Sequence, residues 1–218
     1  MNKVTIGLDI AKSVFHLVFM NQSGRVLRKK KLRRHQMLSY FSQLEPSIVV
    51  MEACGSCHYW CRELTKAGHE VKTIAPQYVV AYRKGNKHDY NDAEAIAEAS
   101  QREGMRFVSF KSQEQQDVQL MHRIRERMIA QQTALSNQIR GLLNEYGIVY
   151  ARGVAALVKE LPFTLEEADN GLSILARRQF QGLLNDLREL RERIKEMDKE
   201  LKAFSQSQPV CERLMSMT

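Results

Sequence analysis

The sequence is poor in the residues that punctuate or staple a chain. Its 218 residues include 4 prolines, 11 glycines, 4 cysteines and 1 tryptophan. So little proline and glycine excludes collagen-like and low-complexity chains. Four cysteines are too few for a disulfide scaffold of this length and are expected as free thiols in a reducing compartment. No run approaches the roughly 18 apolar residues that a membrane span requires. The opening MNKVTIGLDIAK has no apolar stretch followed by a small-residue cleavage site, so no secretory signal is expected. A cytoplasmic protein with no membrane partner is the expectation. No G-x-x-x-x-G-K-[ST] loop is present, which argues against a P-loop NTPase. Actin-like ATPases share an early strand aspartate, but the further glycine-rich phosphate loops they need are missing.

What is there is charge and apolar periodicity. Hydrophobic residues make up 44% and charged residues 27%, enough to bury one sizeable core or two modest ones. Thirty-three Lys and Arg face 25 Asp and Glu, a formal net charge of +8. The excess is one-sided. Residues 1–111 hold 18 basic and 10 acidic side chains, whereas residues 112–218 hold 15 of each. Arg25, Arg28, Lys29, Lys30, Lys31, Arg33 and Arg34 crowd one segment, and Arg83, Lys84 and Lys87, with His88, form a second group. Lysines protect sheet edges, but two basic groups flanking an acidic constellation point to a phosphate-tracking surface. Lys12, three residues after Asp9, is placed to reach a phosphate as well.

The spacing predicts strands over 4–10, 14–20, 25–33, 47–51 and 70–74, and helices over 35–44, 56–67 and 90–103. A hairpin meander followed by helix–strand units implies an α/β domain, a mixed sheet flanked by helices, over residues 1–111. The second half, 112–218, reads as helical. One long helix is expected over 113–146, then a broken connection with short helices over 147–171. Phe180, Leu183, Leu187, Leu190, Ile194, Met197, Leu201 and Phe204 then follow 3-4-3-4 spacing, the seam of a coiled-coil oligomerisation region. A new apolar segment starts after Pro209 and stops at Thr218, as expected of a piece truncated before a further domain.

Four acids stand out. Asp9 lies inside an apolar strand and Glu52 follows the buried run SIVVM. Carboxylates bounding apolar strands are costly unless compensated. Asp89 and Asp92 share one face at the start of a helix, where capping is the plain alternative. Two carboxylates about 4 Å apart repel by roughly 4 kcal/mol at an effective dielectric near 20. Divalent cations reverse that sign. Oxygen donors favour Mg²⁺ or Mn²⁺, and two such ions clamp the attacking and leaving oxygens of a phosphodiester. Asp9, Glu52, Asp89 and Asp92 are therefore the candidate metal ligands and catalytic residues. Cys54-Gly55-Ser56-Cys57-His58 matches haem-attachment and redox patterns. A zinc site from Cys54, Cys57, His58 and Cys61 is conceivable, although buried free thiols are the default. His16, His35, His69 and His122 are isolated and read as structural.

The segments IGLDIAK, VVMEACG and NKHDYNDAEAIAEA resemble the N-terminal half of insertion-sequence-110 family transposases, which include the Piv-type DNA invertases. That resemblance implies a RuvC-like branch of the RNase H fold with a DEDD tetrad at Asp9, Glu52, Asp89 and Asp92, using Mg²⁺. It implies a bacterial recombinase of a mobile element that acts on donor and target DNA. It further implies a bridge RNA as guide, and homodimers assembling into tetramers through helical segments. The resemblance also implies that strand exchange uses a serine of a separate C-terminal domain, which is expected to be missing here. The competing readings are a stand-alone RuvC-like junction-resolving nuclease and a non-catalytic dimeric nucleic-acid-binding scaffold.

Overall fold

Apolar alternation organises the first half of the chain, as seen in a computed structural model that describes residues 3–83 and 89–206. Strands β1 (Thr5–Ile10), β2 (Val14–Met20), β3 (Val26–Arg33), β4 (Ile48–Glu52), β5 (Glu70–Ile74) and β6 (Phe107–Val108) form one mixed sheet in the order β3-β2-β1-β4-β5-β6. β1 pairs antiparallel with β2 and β2 with β3, while β4 and β5 continue parallel to β1. β6 closes the far edge antiparallel to β5. Two residues are too short to carry a period, so β6 leaves no sign in the sequence. Residues 84–88, with the expected phosphate contacts Lys84 and Lys87 and the adjacent His88, lie outside the described residues.

One face of the sheet carries Ile6, Leu8, Phe15, Leu17, Phe19, Val49 and Met51. They pack against Met37 and Phe41 of α1 (Met37–Ser42) and Cys57, Trp60, Cys61 and Leu64 of α2 (Cys57–Lys66). Each of these fully buried large side chains contributes about 1.5–3 kcal/mol. His69 ties this layer together: its Nδ1 accepts the Ser47 N–H at 3.2 Å and its Nε2 donates to the Phe41 carbonyl at 2.9 Å. The crossover after β5 opens with α3 (Pro76–Val79), where Pro76 takes the first helical position.

The other face is covered by α4 (Asp89–Ser100), which buries Ala93, Ala95, Ile96, Ala97 and Ala99. Its seat is unusually close. A Cβ added to Gly7 of β1 would overlap the Ala93 carbonyl oxygen and come within 2.8 Å of Ala97 Cβ. Gly7 and the alanines therefore allow a helix to lie directly on a strand backbone, and that sets where the first turn of α4 falls.

The chain divides into two compact units, Met1–Gln113 and Glu114–Thr218. In the second, α5 (Gln113–Asn144), α6 (Val154–Glu166) and α7 (Ile174–Gln206) enclose Ile139, Leu143, Leu157, Leu161, Leu172, Phe180, Leu184 and Leu187. The expected broken connection holds one 13-residue helix, α6, which carries Pro162 in its interior. Its run VAALVKEL packs on α7, and that burial outweighs the hydrogen bond missing at Pro162. Arg177 fastens the α6–α7 corner by donating to the carbonyls of Leu165 at 2.7 Å and Leu172 at 3.1 Å. Along α7 the deep positions are Ala176, Phe180, Leu184, Leu187 and Ile194. Leu184, not Leu183, is the fully buried member of that pair, and Leu190, Met197, Leu201 and Phe204 are half-buried. Among the described residues no helix is long and apolar enough to cross a membrane.

Candidate functional site

The site lies on the α4 face, where parallel β1 and β4 end. Leu8 is in register with Met51, so the next residues, Asp9 and Glu52, leave adjacent strands toward α4. The helix supplies Asp89 and Asp92 from its first turn. Asp92 is buried, Asp9 and Glu52 are half-buried, and Asp89 is exposed. The structure thus brings all four sequence-selected acids to one end of one sheet face.

Their electrostatics show how closely they crowd. The Asp9 carboxyl is pushed up to about 6, first by burial and then by the charges of Asp92, Asp89 and Glu52, with Arg83 opposing. Glu52 is also raised, chiefly by burial, again against Arg83. Arg83 reaches into the group. Its Nε lies 2.7 Å from Asp92 Oδ1 and its Nη2 3.5 Å from Glu52 Oε2. The contact with Asp92 is a charge pair and not a directed hydrogen bond, since Asp92 Oδ1 accepts none.

A fifth member, His16, is one that sequence reasoning placed with the structural histidines. It stands opposite Asp9 in the β1–β2 register, is buried, and holds its Nδ1 3.4 Å from Asp89 Oδ2. Its ring packs edge-on to Tyr90, with centroids 4.7 Å apart. Asp9, His16 and Asp89 each offer a ligand atom, all within 4.8 Å of one another. The signal was present in the hairpin: once the two strands are laid in register across the short Ala11–Ser13 link, Asp9 faces His16.

The basic residues are distributed by strand alternation. Lys29, Lys31 and Arg33 of edge strand β3 are on the α4 face, with Lys31 paired to His16 in register. Lys29 Nζ binds Glu94 Oε2 at 2.9 Å, tying β3 to α4. Arg28 and Lys30 belong to the opposite face, over the rings of Phe19 at 4.0 Å and Tyr40 at 4.4 Å. Arg34 lies over Trp60 at 5.2 Å and donates to the Lys12 carbonyl at 3.5 Å. Lys12 and Arg33 are at the acidic end of the sheet, whereas Arg25 follows the turn at the other end. The cysteine stretch is arranged differently from a zinc site. His58 turns to Lys111, with Nδ1 accepting its N–H at 3.2 Å, and burial with the charges of Lys111 and Arg62 lowers its pKa. The Cys54 thiol is pushed up to about 12, mainly by its contact with Cys57.

Chemically, the arrangement is a set of hard oxygen donors with one imidazole. Burial, with the neighbouring acids behind it, pushes the Asp9 carboxyl up to about 6, and the Arg83 guanidinium already bridges two of the acids. Such a donor set fits a hard divalent cation. Residues 6–148 match the transposase family of DEDD type named for insertion sequence 110. Across its whole length the chain is 42% identical to a probable family 20 transposase of Pseudomonas aeruginosa, of which it covers 64%. It is 42% identical over 97% of its length to the transposase for insertion sequence element IS1111A of Coxiella burnetii, covering 58% of that protein. It is 34% identical over 99% of its length to the transposase for insertion sequence element IS1328 of Yersinia enterocolitica, covering 64%. The chain therefore spans less than two thirds of the length of these curated relatives.

Proposed function

The chain belongs to the insertion-sequence-110 transposase family, and we propose that its first unit is the divalent-metal nuclease part of an insertion-element recombinase. The observation that carries this reading is the convergence of Asp9, Glu52, Asp89 and Asp92 on one face of one sheet end. The sheet order, with three antiparallel strands followed by two parallel ones, supports a RuvC-like RNase H architecture.

In this reading the four carboxylates, with His16 beside Asp9 and Asp89, hold Mg²⁺ or Mn²⁺. Bound there, such an ion would supply Lewis-acid polarisation of a DNA phosphodiester and charge stabilisation for its attacking and leaving oxygens. The protein's own contribution is placement. β1 and β4 fix Asp9 and Glu52 through a parallel ladder, and the close seat on Gly7 fixes Asp89 and Asp92. Lys31, Arg33 and Lys12, at the same end, hold the nucleic-acid backbone by charge. The remaining basic residues of β3 extend that grip toward donor and target DNA and a guide RNA. Unit 2 joins copies into dimers or tetramers, with the seam of α7 that runs through Leu190, Ile194, Met197, Leu201 and Phe204 contributing a coiled coil. Completion of strand exchange requires a serine from a further domain, consistent with the share of the relatives that the chain covers. The protein works in the cytoplasm, on the nucleoid.

The test is asparagine or glutamine at Asp9, Glu52, Asp89 and Asp92, one at a time, in the complete transposase. Each is expected to abolish Mg²⁺-dependent recombination while leaving DNA binding measurable. Recombination at the wild-type rate in any one of them overturns that residue's role. Clean cutting of branched DNA by these 218 residues alone would instead make the chain a self-sufficient junction nuclease.

A further inference from the structure

Among the described residues the basic side chain within the acid site is Arg83. Arg83 engages Glu52 and Asp92 together, with its side chain about one third exposed. Among the described residues no lysine or arginine pairs with Asp9 or Asp89. Those two acids and His16 form instead the trio whose ligand atoms lie within 4.8 Å of one another. Ligands on opposite sides of an ion bound at about 2.1 Å are about 4.2 Å apart, and neighbouring ones about 3 Å, so a small inward movement of the trio is enough for it to share a single ion. The Glu52–Asp92 pair already has its positive charge.

We infer that Arg83 is a resident counter-cation at the Glu52–Asp92 half of the site. The free protein then takes one divalent ion, at Asp9, His16 and Asp89. A second ion enters only when Arg83 is drawn away. This inference rests on the metal-site reading above and adds an order of loading to it. A phosphate is the natural agent of release. A guanidinium binds phosphate bidentately through charge-assisted hydrogen bonds, and the exposed flank of Arg83 leaves it free to turn without uncovering the core. Arriving nucleic acid thereby completes the site, and the phosphate that displaces Arg83 gains a positioning contact. Without nucleic acid the second position stays filled by a group that cannot activate water, which guards against indiscriminate cutting.

Mn²⁺ is the probe, because one imidazole among oxygen donors suits it and its paramagnetism allows bound ions to be counted. Metal-free chain is titrated with Mn²⁺ and the free ion is followed by electron paramagnetic resonance. Wild-type chain is expected to take up roughly one equivalent tightly, and roughly two once a short DNA duplex is added. Arg83→Met and Arg83→Gln, each confirmed as folded by circular dichroism, are expected to take up roughly two without DNA, with the broadened signal of a coupled ion pair. Two tight equivalents in wild-type chain without DNA overturn the role of Arg83 and leave the metal site standing, as does a single equivalent in both variants. No tight Mn²⁺ in any of the three, with or without DNA, overturns the metal reading itself. The wild-type measurement carries the test even if neither variant folds.

Discussion

Asp9 and His16 face each other across the β1–β2 pair, and Asp89 Oδ2 comes within 3.4 Å of the same imidazole. The histidine thus joins a strand acid to a helix acid. In the metal-site reading His16 either binds the ion or holds Asp89 in position, and in both roles its removal is expected to cost metal affinity. His16→Phe keeps the buried ring against Tyr90 but removes both nitrogens. Mn²⁺ affinity is expected to fall about 10–100-fold, the usual effect of losing a supporting group at a metal centre. Isothermal titration of the metal-free chain measures it, and an unchanged affinity reduces His16 to a packing residue.

The raised Asp9 carboxyl makes metal-free stability depend on pH in an unusual direction. Its folded value, about 6, lies above the ordinary value of 3.8. Between those values the folded chain holds more proton than the unfolded one, so stability falls as pH rises through the window and levels off above it. Glu52, also raised, adds in the same direction. Urea unfolding in a chelator is expected to show a midpoint that declines from about pH 4 to about pH 6 through this contribution. Asp9→Asn is expected to flatten that decline and to be more stable than wild type at neutral pH. A midpoint difference between the two proteins that does not change with pH would falsify the crowding account.

Gly7 tests the seat of α4. Alanine there has no room beneath the Ala93 carbonyl and Ala97, so the helix must lift. A drop in stability of about 1–3 kcal/mol or more is expected, the cost of overfilling a close-packed contact. Denaturant unfolding reads the drop. Asp92 is carried on the same helix, so weaker metal binding should accompany it.

Much of this was legible in the residues. Alternation in β1, the compact apolar run of β4 and the turn signals between strands marked β1 to β5 to within a residue or two. The acid positions stood out because carboxylates beside apolar strands demand a reason. Other features needed three dimensions. His16 became significant only through register, and register is a property of a strand pair. Arg83 read as part of a basic cluster, yet its turn after α3 directs it onto Glu52 and Asp92. In α7, Leu183 and Leu184 both fit a helical stripe, and only the packing of α6 decides that Leu184 is the one buried. In α6, Pro162 suggested a break that tertiary burial overrides.

Strand alternation makes the proposed nucleic-acid surface separable by face. Lys31→Ala and Arg33→Ala, on the α4 face, are expected to weaken DNA binding and to lower the slope of log affinity against log salt by about 0.9 for each phosphate that is no longer neutralised. Arg28→Ala and Lys30→Ala, whose cations rest on Phe19 and Tyr40, are expected to leave that slope unchanged. Binding measured over a range of salt concentrations separates the two pairs. Equal weakening in all four would mean that DNA wraps the edge strand instead of lying across the acidic end.

Half of the acids belong to the sheet and half to α4, the helix that roofs one side of the core. In the metal-site reading, an ion gripped by both sets would be a fastener as well as a reagent. It would tie roof to floor at the very end where like charges otherwise push them apart. Stripping it away should loosen the whole lid of alanines, so that fraying of α4, detected by amide hydrogen exchange, becomes a gauge of whether the centre is loaded.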